Sequence, residues 1–127
     1  MPVSYSFSGS LIRMDLAGIC PMTEIRETLT DAMADPAFPA GGVALIDLRH
    51  SESLATRSSE EILAISEFAS PKMAARCRRC ALVVETELQF GIMRMGEVFA
   101  ERHQLDTMVF YDIPSALEWL GLSEKDN

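Results

Sequence analysis

The sequence predicts an α/β fold: a single mixed sheet with an N-terminal β-hairpin, parallel strands and about four helices. Three observations carry this prediction. Two near-continuous apolar runs, GGVALIDL and RCALVVE, have the pattern of strands covered on both faces. Amphipathic stretches with helical spacing alternate with these runs, which implies parallel strands joined by right-handed crossovers. The chain also opens with two short extended segments around Ser8, Gly9 and Ser10, a hairpin that adds one antiparallel edge.

In chain order, Tyr5 and Phe7 alternate with serines in the first strand, and residues 11–16 form the second. The stretch PMTEIRETLTDAMADPAF is an amphipathic helix, with Met22, Ile25, Leu29, Ala32 and Met33 at helical spacing, ended by Pro36 and Pro39. GGVALIDL is the third strand, followed by a hydroxyl-rich loop over residues 49–56. Ser58 opens the next helix, where Ser58 and Glu61 have the spacing of a capping box. Ile62, Ile65, Phe68 and Ala69 form that helix's apolar face, and Pro71 marks its end or a kink. RCALVVE is the fourth strand. ELQFGIMRMGEVFAERHQL is a long helix with Leu88, Ile92, Met95 and Phe99 on one stripe. TMVFYD is the last strand, and DIPSALEWLGL a short helix capped by Asp112 and anchored to the core by Trp119. Residues 123–127, SEKDN, are a polar, fraying tail.

The bulk properties narrow the function classes. A chain of 127 residues without linker, repeat or low-complexity stretch reads as one domain spanning 1–127. Apolar residues make up 48% and charged residues 24%, a globular balance. The net charge of -8, from 19 acidic and 11 basic residues, disfavours nucleic acid and anionic membranes as partners. No run approaches the roughly 18 apolar residues of a membrane span, so an integral membrane protein is not expected. The start lacks the basic and apolar regions of a signal peptide, and three cysteines without framework spacing fit a reducing compartment. A cytoplasmic location is expected.

Several residues are candidates for a site. Ligands of open α/β sheets tend to sit beyond the carboxyl ends of parallel strands, where the loop 49–56 lies. It offers Arg49, His50, Ser51, Ser53 and Thr56 for hydrogen bonding, with Arg49 suited to a carboxylate or phosphate. The plainer reading is a solvated connection whose Ser58 caps a helix. Cys77 and Cys80 form a C-x-x-C pair, yet they precede a strand, whereas redox pairs usually start a helix. Zinc would need about four ligands, and Cys20, His50 and His103 are scattered, so no metal site is expected. No nucleophile elbow, P-loop or dinucleotide fingerprint is present, and no cofactor is implied. His50 acting on Ser51 or Ser53 would require a geometry that loop neighbours rarely hold. Met93, Met95 and Met108 could line an adaptable apolar pocket or simply fill the core. Gly91 and Gly96 weaken the long helix and suggest the close approach of the sheet or of another subunit. Arg94, between them, would project outward toward an acidic partner.

The element order and the blocks ALIDLR, RCALVVE, FGIMRMGEVFAER and VFYDIPSALEWL resemble the STAS superfamily, and more closely its SpoIIAA-like branch, often described together with the lipid-binding SEC14 domains. The resemblance spans almost the whole chain and speaks to fold more than to activity. Antagonist-type members carry a phosphoacceptor serine in an Asp-Ser-Ser/Ala-Gly-like motif at a helix start. The comparable positions here are Thr56, Arg57, Ser58, Ser59, Glu60 and Glu61, with serines but without the motif or its glycine. The resemblance implies a non-catalytic binding or regulatory module that engages a protein partner or its own copy. Its SEC14 side implies an alternative, a domain for a small lipid-like or amphipathic ligand. A small enzyme ranks third.

Overall fold

The computed structural model describes residues 2–122; the tail expected over 123–127 lies outside them. Strands β1 (Val3–Ser8), β2 (Leu11–Gly18), β3 (Gly42–Ser51), β4 (Cys77–Val83) and β5 (Asp106–Phe110) form one sheet in the order β1-β2-β3-β4-β5. β1 and β2 pair antiparallel, and every other pair is parallel. Helices α1 (Met22–Ala34), α2 (Ser59–Ala74) and α3 (Glu87–Glu101) make the three crossovers, and α4 (Ile113–Trp119) follows the last strand. The mixed α/β fold expected from the sequence is therefore the observed one.

The strand order dictates the layers. Each crossover steps one strand in the same direction, and right-handed connections in one direction place their helices on the same face. So α1, α2 and α3 cover one face, with Ile12, Met14, Leu16, Ala44, Leu48 and Leu82 beneath them. The alternate residues Leu11, Val43, Leu45, Ala81 and Val83 point to the opposite face, where α4 contributes Ala116, Leu117 and Leu120. Because the order never reverses, the sheet has no switch point, and hence none of the crevice that such a point opens beyond the strand ends.

Three local expectations are corrected. β3 runs on to Ser51, so Arg49, His50 and Ser51 lie in a strand rather than a loop. The extension is held by β2, whose Ala17 and Gly18 pair with His50 and Ser51 after a register shift. Pro71 neither ends nor interrupts α2, which continues to Ala74. α3 turns a different stripe inward: Gln89, Met93 and Ala100 are buried, while Leu88 is 59% exposed. Gln89 is drawn in because its side chain closes a capping box with Thr86 and donates to the Leu48 and Ser51 carbonyls, each at 3.4 Å.

Trp119 is only half-buried, at the rim of the α4 cluster. Its ring tilts against Phe110 at 5.6 Å, under the Arg79 guanidinium at 4.9 Å. The side chains that anchor α4 are Leu117 and Leu120, which lie a helical turn apart on its inner face.

Candidate functional site

A cavity of about 150 Å³ opens between the sheet and the three crossover helices. Met14, Leu16, Ile46, Leu48 and Leu82 form its floor, and Met22, Ile25 and Leu29 of α1 one wall. Its roof explains why it exists. α2 turns Ser66, Ala69 and Ser70 toward it, and α3 turns Gly96 and Ala100. Small side chains stand in the middle of both helices, where larger ones would close the gap. A Cβ built on Gly96 would meet only the Met93 terminal methyl, at 3.8 Å, and one on Gly91 would meet nothing within 4 Å. The close approach expected at these glycines is therefore absent; beside Gly96 there is open space.

Polar groups gather at the end of the cavity nearest the carboxyl end of β3. Ser51, Ser53 and Arg57 line it there, and Ser66 and Ser70 share a hydrogen bond of 3.1 Å along α2. The β2–α1 and β3–α2 connections are tied across this end. The Ser53 hydroxyl accepts from the Cys20 amide at 3.1 Å, and Arg57 Nη2 donates to the Cys20 carbonyl. The Ser51 hydroxyl accepts from the Leu54 amide at 3.3 Å. Arg57 Nη1 also reaches Glu61 Oε2 at 3.3 Å. Glu61 is held from its other oxygen, for Oε1 accepts from the Ser58 amide at 3.0 Å while the Ser58 hydroxyl accepts from the Glu61 amide at 3.1 Å. The Ser58 backbone hydrogen bond, with Arg57 helping, draws the Glu61 pKa below the usual carboxylate range.

The residues singled out from the sequence are thus divided. Ser51 and Ser53 line the cavity. Ser58 is the N-cap of α2, with both halves of its capping box formed. Thr56 is exposed, its hydroxyl donating to the Ser53 carbonyl at 2.9 Å, and His50 is exposed at the end of β3. Arg49 lies on the opposite face, gripping Asp47 with Nε at 3.0 Å and Nη2 at 2.9 Å. Arg13 binds the same carboxylate at 3.1 Å. Burial alone would raise the Asp47 pKa, but the Arg49 hydrogen bonds and the two positive charges lower it. The anion expected for Arg49 is in this way supplied by the protein. Arg94 is exposed on α3 and forms a 3.7 Å ion pair with Glu97, whose pKa is raised by burial.

Of the methionines, Met93 lines the cavity, whereas Met108 is 41% exposed on β5 and Met95 is half-buried outside the lining. Cys77 and Cys80 are free thiols buried in β4; burial pushes Cys77 up to about 11 and Cys80 higher still. Among the described residues no group of three or more His, Cys, Asp or Glu side chains could hold a metal ion. None of their helices is long and apolar enough to cross a membrane.

Arg57 was the residue the sequence hid. It stands among hydroxyls and carboxylates at a helix start, and only its spacing from Glu61, one helical turn on, marks it as part of a built arrangement. Ser66 and Ser70 carried no signal, and Gly96 pointed to a close approach instead, because a small residue in a helix does not distinguish a cavity from a close contact.

Five strands in sequential order, an antiparallel edge pair and three helices on one face define a SpoIIAA-like α/β fold. Comparison with solved structures agrees. The chain superposes on an uncharacterized protein of the DUF3478 family with a SpoIIAA-like fold from Shewanella loihica PV-4, with a TM-score of 0.59 and 21% sequence identity, over 93% of this chain and 91% of that one. At this identity the likeness shows the fold alone. No family model matches the chain, and no curated protein does.

Proposed function

We propose that the protein is a non-catalytic binding domain for a small apolar or amphipathic molecule, held in the cavity between the sheet and helices α1–α3. The cavity itself carries this reading. A largely apolar space of about 150 Å³ in the layer between sheet and helices is contact that a close-packed core would have made. The walls are mostly aliphatic, and cavities of about this volume admit benzene-sized ligands. The cavity thus favours the ligand-binding alternative over a module that acts only through its outer surface. The hydroxyls at one end satisfy one another or the backbone, which supports orientation of a ligand rather than chemistry on it.

Native mass spectrometry of the freshly purified protein tests this. A bound small molecule, lost on denaturation and excluded when Ala69→Phe fills the cavity, is the expected result. A wild-type protein that carries no ligand and takes up no small hydrocarbon when offered one would overturn it.

A further inference from the structure

We infer that the ligand is an amphipathic anion, a carboxylate on an apolar body of about six carbons, with its head group on Arg57; this rests on the cavity reading above. In a chain with 19 acidic and 11 basic residues, the single charged side chain lining the cavity among the described residues is a cation. Arg57 is 15% exposed, so it faces the interior rather than bulk water. Its protein partners leave it partly free. Nη1 meets Glu61 and Nη2 meets the Cys20 carbonyl, and its remaining N–H groups have no acceptor among the described residues.

The partner that neutralises Arg57 is a weak competitor. Glu61 is 43% exposed and approaches through one oxygen at 3.3 Å, without the paired geometry of a strong guanidinium–carboxylate contact. Its other oxygen is committed to the Ser58 amide. A ligand carboxylate arriving from the cavity side would meet the guanidinium where water is scarce and the attraction is less screened. The Ser51 and Ser53 hydroxyls flank that position; they accept from backbone amides and also hydrogen-bond the Cys20 thiol, a weak acceptor that a ligand oxygen would displace. The rest of the lining is largely aliphatic and matches a short hydrocarbon body. The volume sets the size of the enclosed part, since about 150 Å³ accommodates a benzene-sized group.

Isothermal titration of the full chain with hexanoate and with 1-hexanol separates the head group from the body. The wild type should bind hexanoate about 10-fold more tightly, the worth of a hydrogen bond to a charged group. Arg57→Gln should weaken hexanoate about 10-fold and leave 1-hexanol within about 2-fold, and Arg57→Lys should keep part of the preference. Circular dichroism reports whether the variants fold; if they do not, the wild-type pair of ligands still decides. Equal binding of acid and alcohol would overturn the anion assignment while leaving the cavity reading intact. Binding of neither would overturn both.

Discussion

The two faces of the sheet are built from the same strands yet packed differently. On the α4 face, Leu11, Val43, Leu45, Ala81, Val83 and Ala116 have no measurable exposure beyond rounding, and Asp47, the one buried charge among the described residues, is held by two arginines. On the three-helix face, Ile46 at the centre of the middle strand is only half-buried because it borders the cavity. Where α4 sits it leaves no such gap, although it covers only part of its face and leaves Met108 41% exposed, whereas the three longer helices cover more of the sheet and leave the cavity. Helix count therefore does not set packing quality; the side chains at the contact do. Leu117 and Leu120 fill the space under α4, whereas Ser66, Ala69, Ser70, Gly96 and Ala100 leave it open under α2 and α3.

Core truncation breaks this comparison most visibly. Leu45→Ala, in the closed face, should destabilise by about 4 kcal/mol, whereas Leu48→Ala, beside the cavity, should cost nearer 2 kcal/mol because its side chain has fewer atoms to lose contact with. Urea unfolding of the two variants checks the ordering, and equal losses would mean that both faces are equally packed.

Asp47 supplies the next largest effect. Asp47→Ala should cost about 2–3 kcal/mol, below the loss for a fully buried pair because Arg13 and Arg49 keep 23% and 32% of their side-chain exposure. Its lowered folded pKa also fixes a sign. The stability it contributes is present above the unfolded value, near 3.8, and is lost as the pH falls through the lower folded value. The wild type should therefore lose stability on acidification below about pH 4, and Asp47→Asn should show a shallower fall. Midpoints of thermal unfolding across that range would reveal whether the two curves converge.

On the cavity side, Ser58→Ala removes one half of a reciprocal cap and should destabilise by about 0.5–2 kcal/mol, while Ser58→Asp should be nearly neutral, since aspartate also caps and suits the helix dipole. Chemical denaturation distinguishes this from a phosphorylation-type switch, in which both variants would keep their stability and differ in partner binding. The smallest change expected is a gain: Gly96→Ala should stabilise by up to about 1 kcal/mol, because its methyl enters open space and favours the helix. A loss in differential scanning calorimetry would mean that the room beside Gly96 is not there.

Much of this architecture was legible in the chain, and the failures have physical causes. GGVALIDL and RCALVVE are apolar on both parities, so they had to be strands covered on two sides, and they are. The Ser58 and Glu61 pair fixed the start of α2 through local hydrogen bonds, which sequence spacing reports well. Local pattern failed where pairing across the sheet or burial of a polar group took over. His50 looked like a loop residue until β2 paired with it, and the Gln89 side chain rotated the α3 stripe by satisfying two carbonyls of another element. The cavity was least legible of all. It arises from what Ser66 and Gly96 lack once two helices meet, and no spacing along one helix contains that information.

Methyl-resolved NMR during a titration with 1-hexanol tests most directly the proposal that the three-helix face, and not the α4 face, receives a small apolar group. Saturable shifts are expected at Ile46, Ile65, Leu82 and Met93, with Leu45, Val83 and Leu117 unchanged. Shifts confined to the surface, or a response that never saturates, would contradict it.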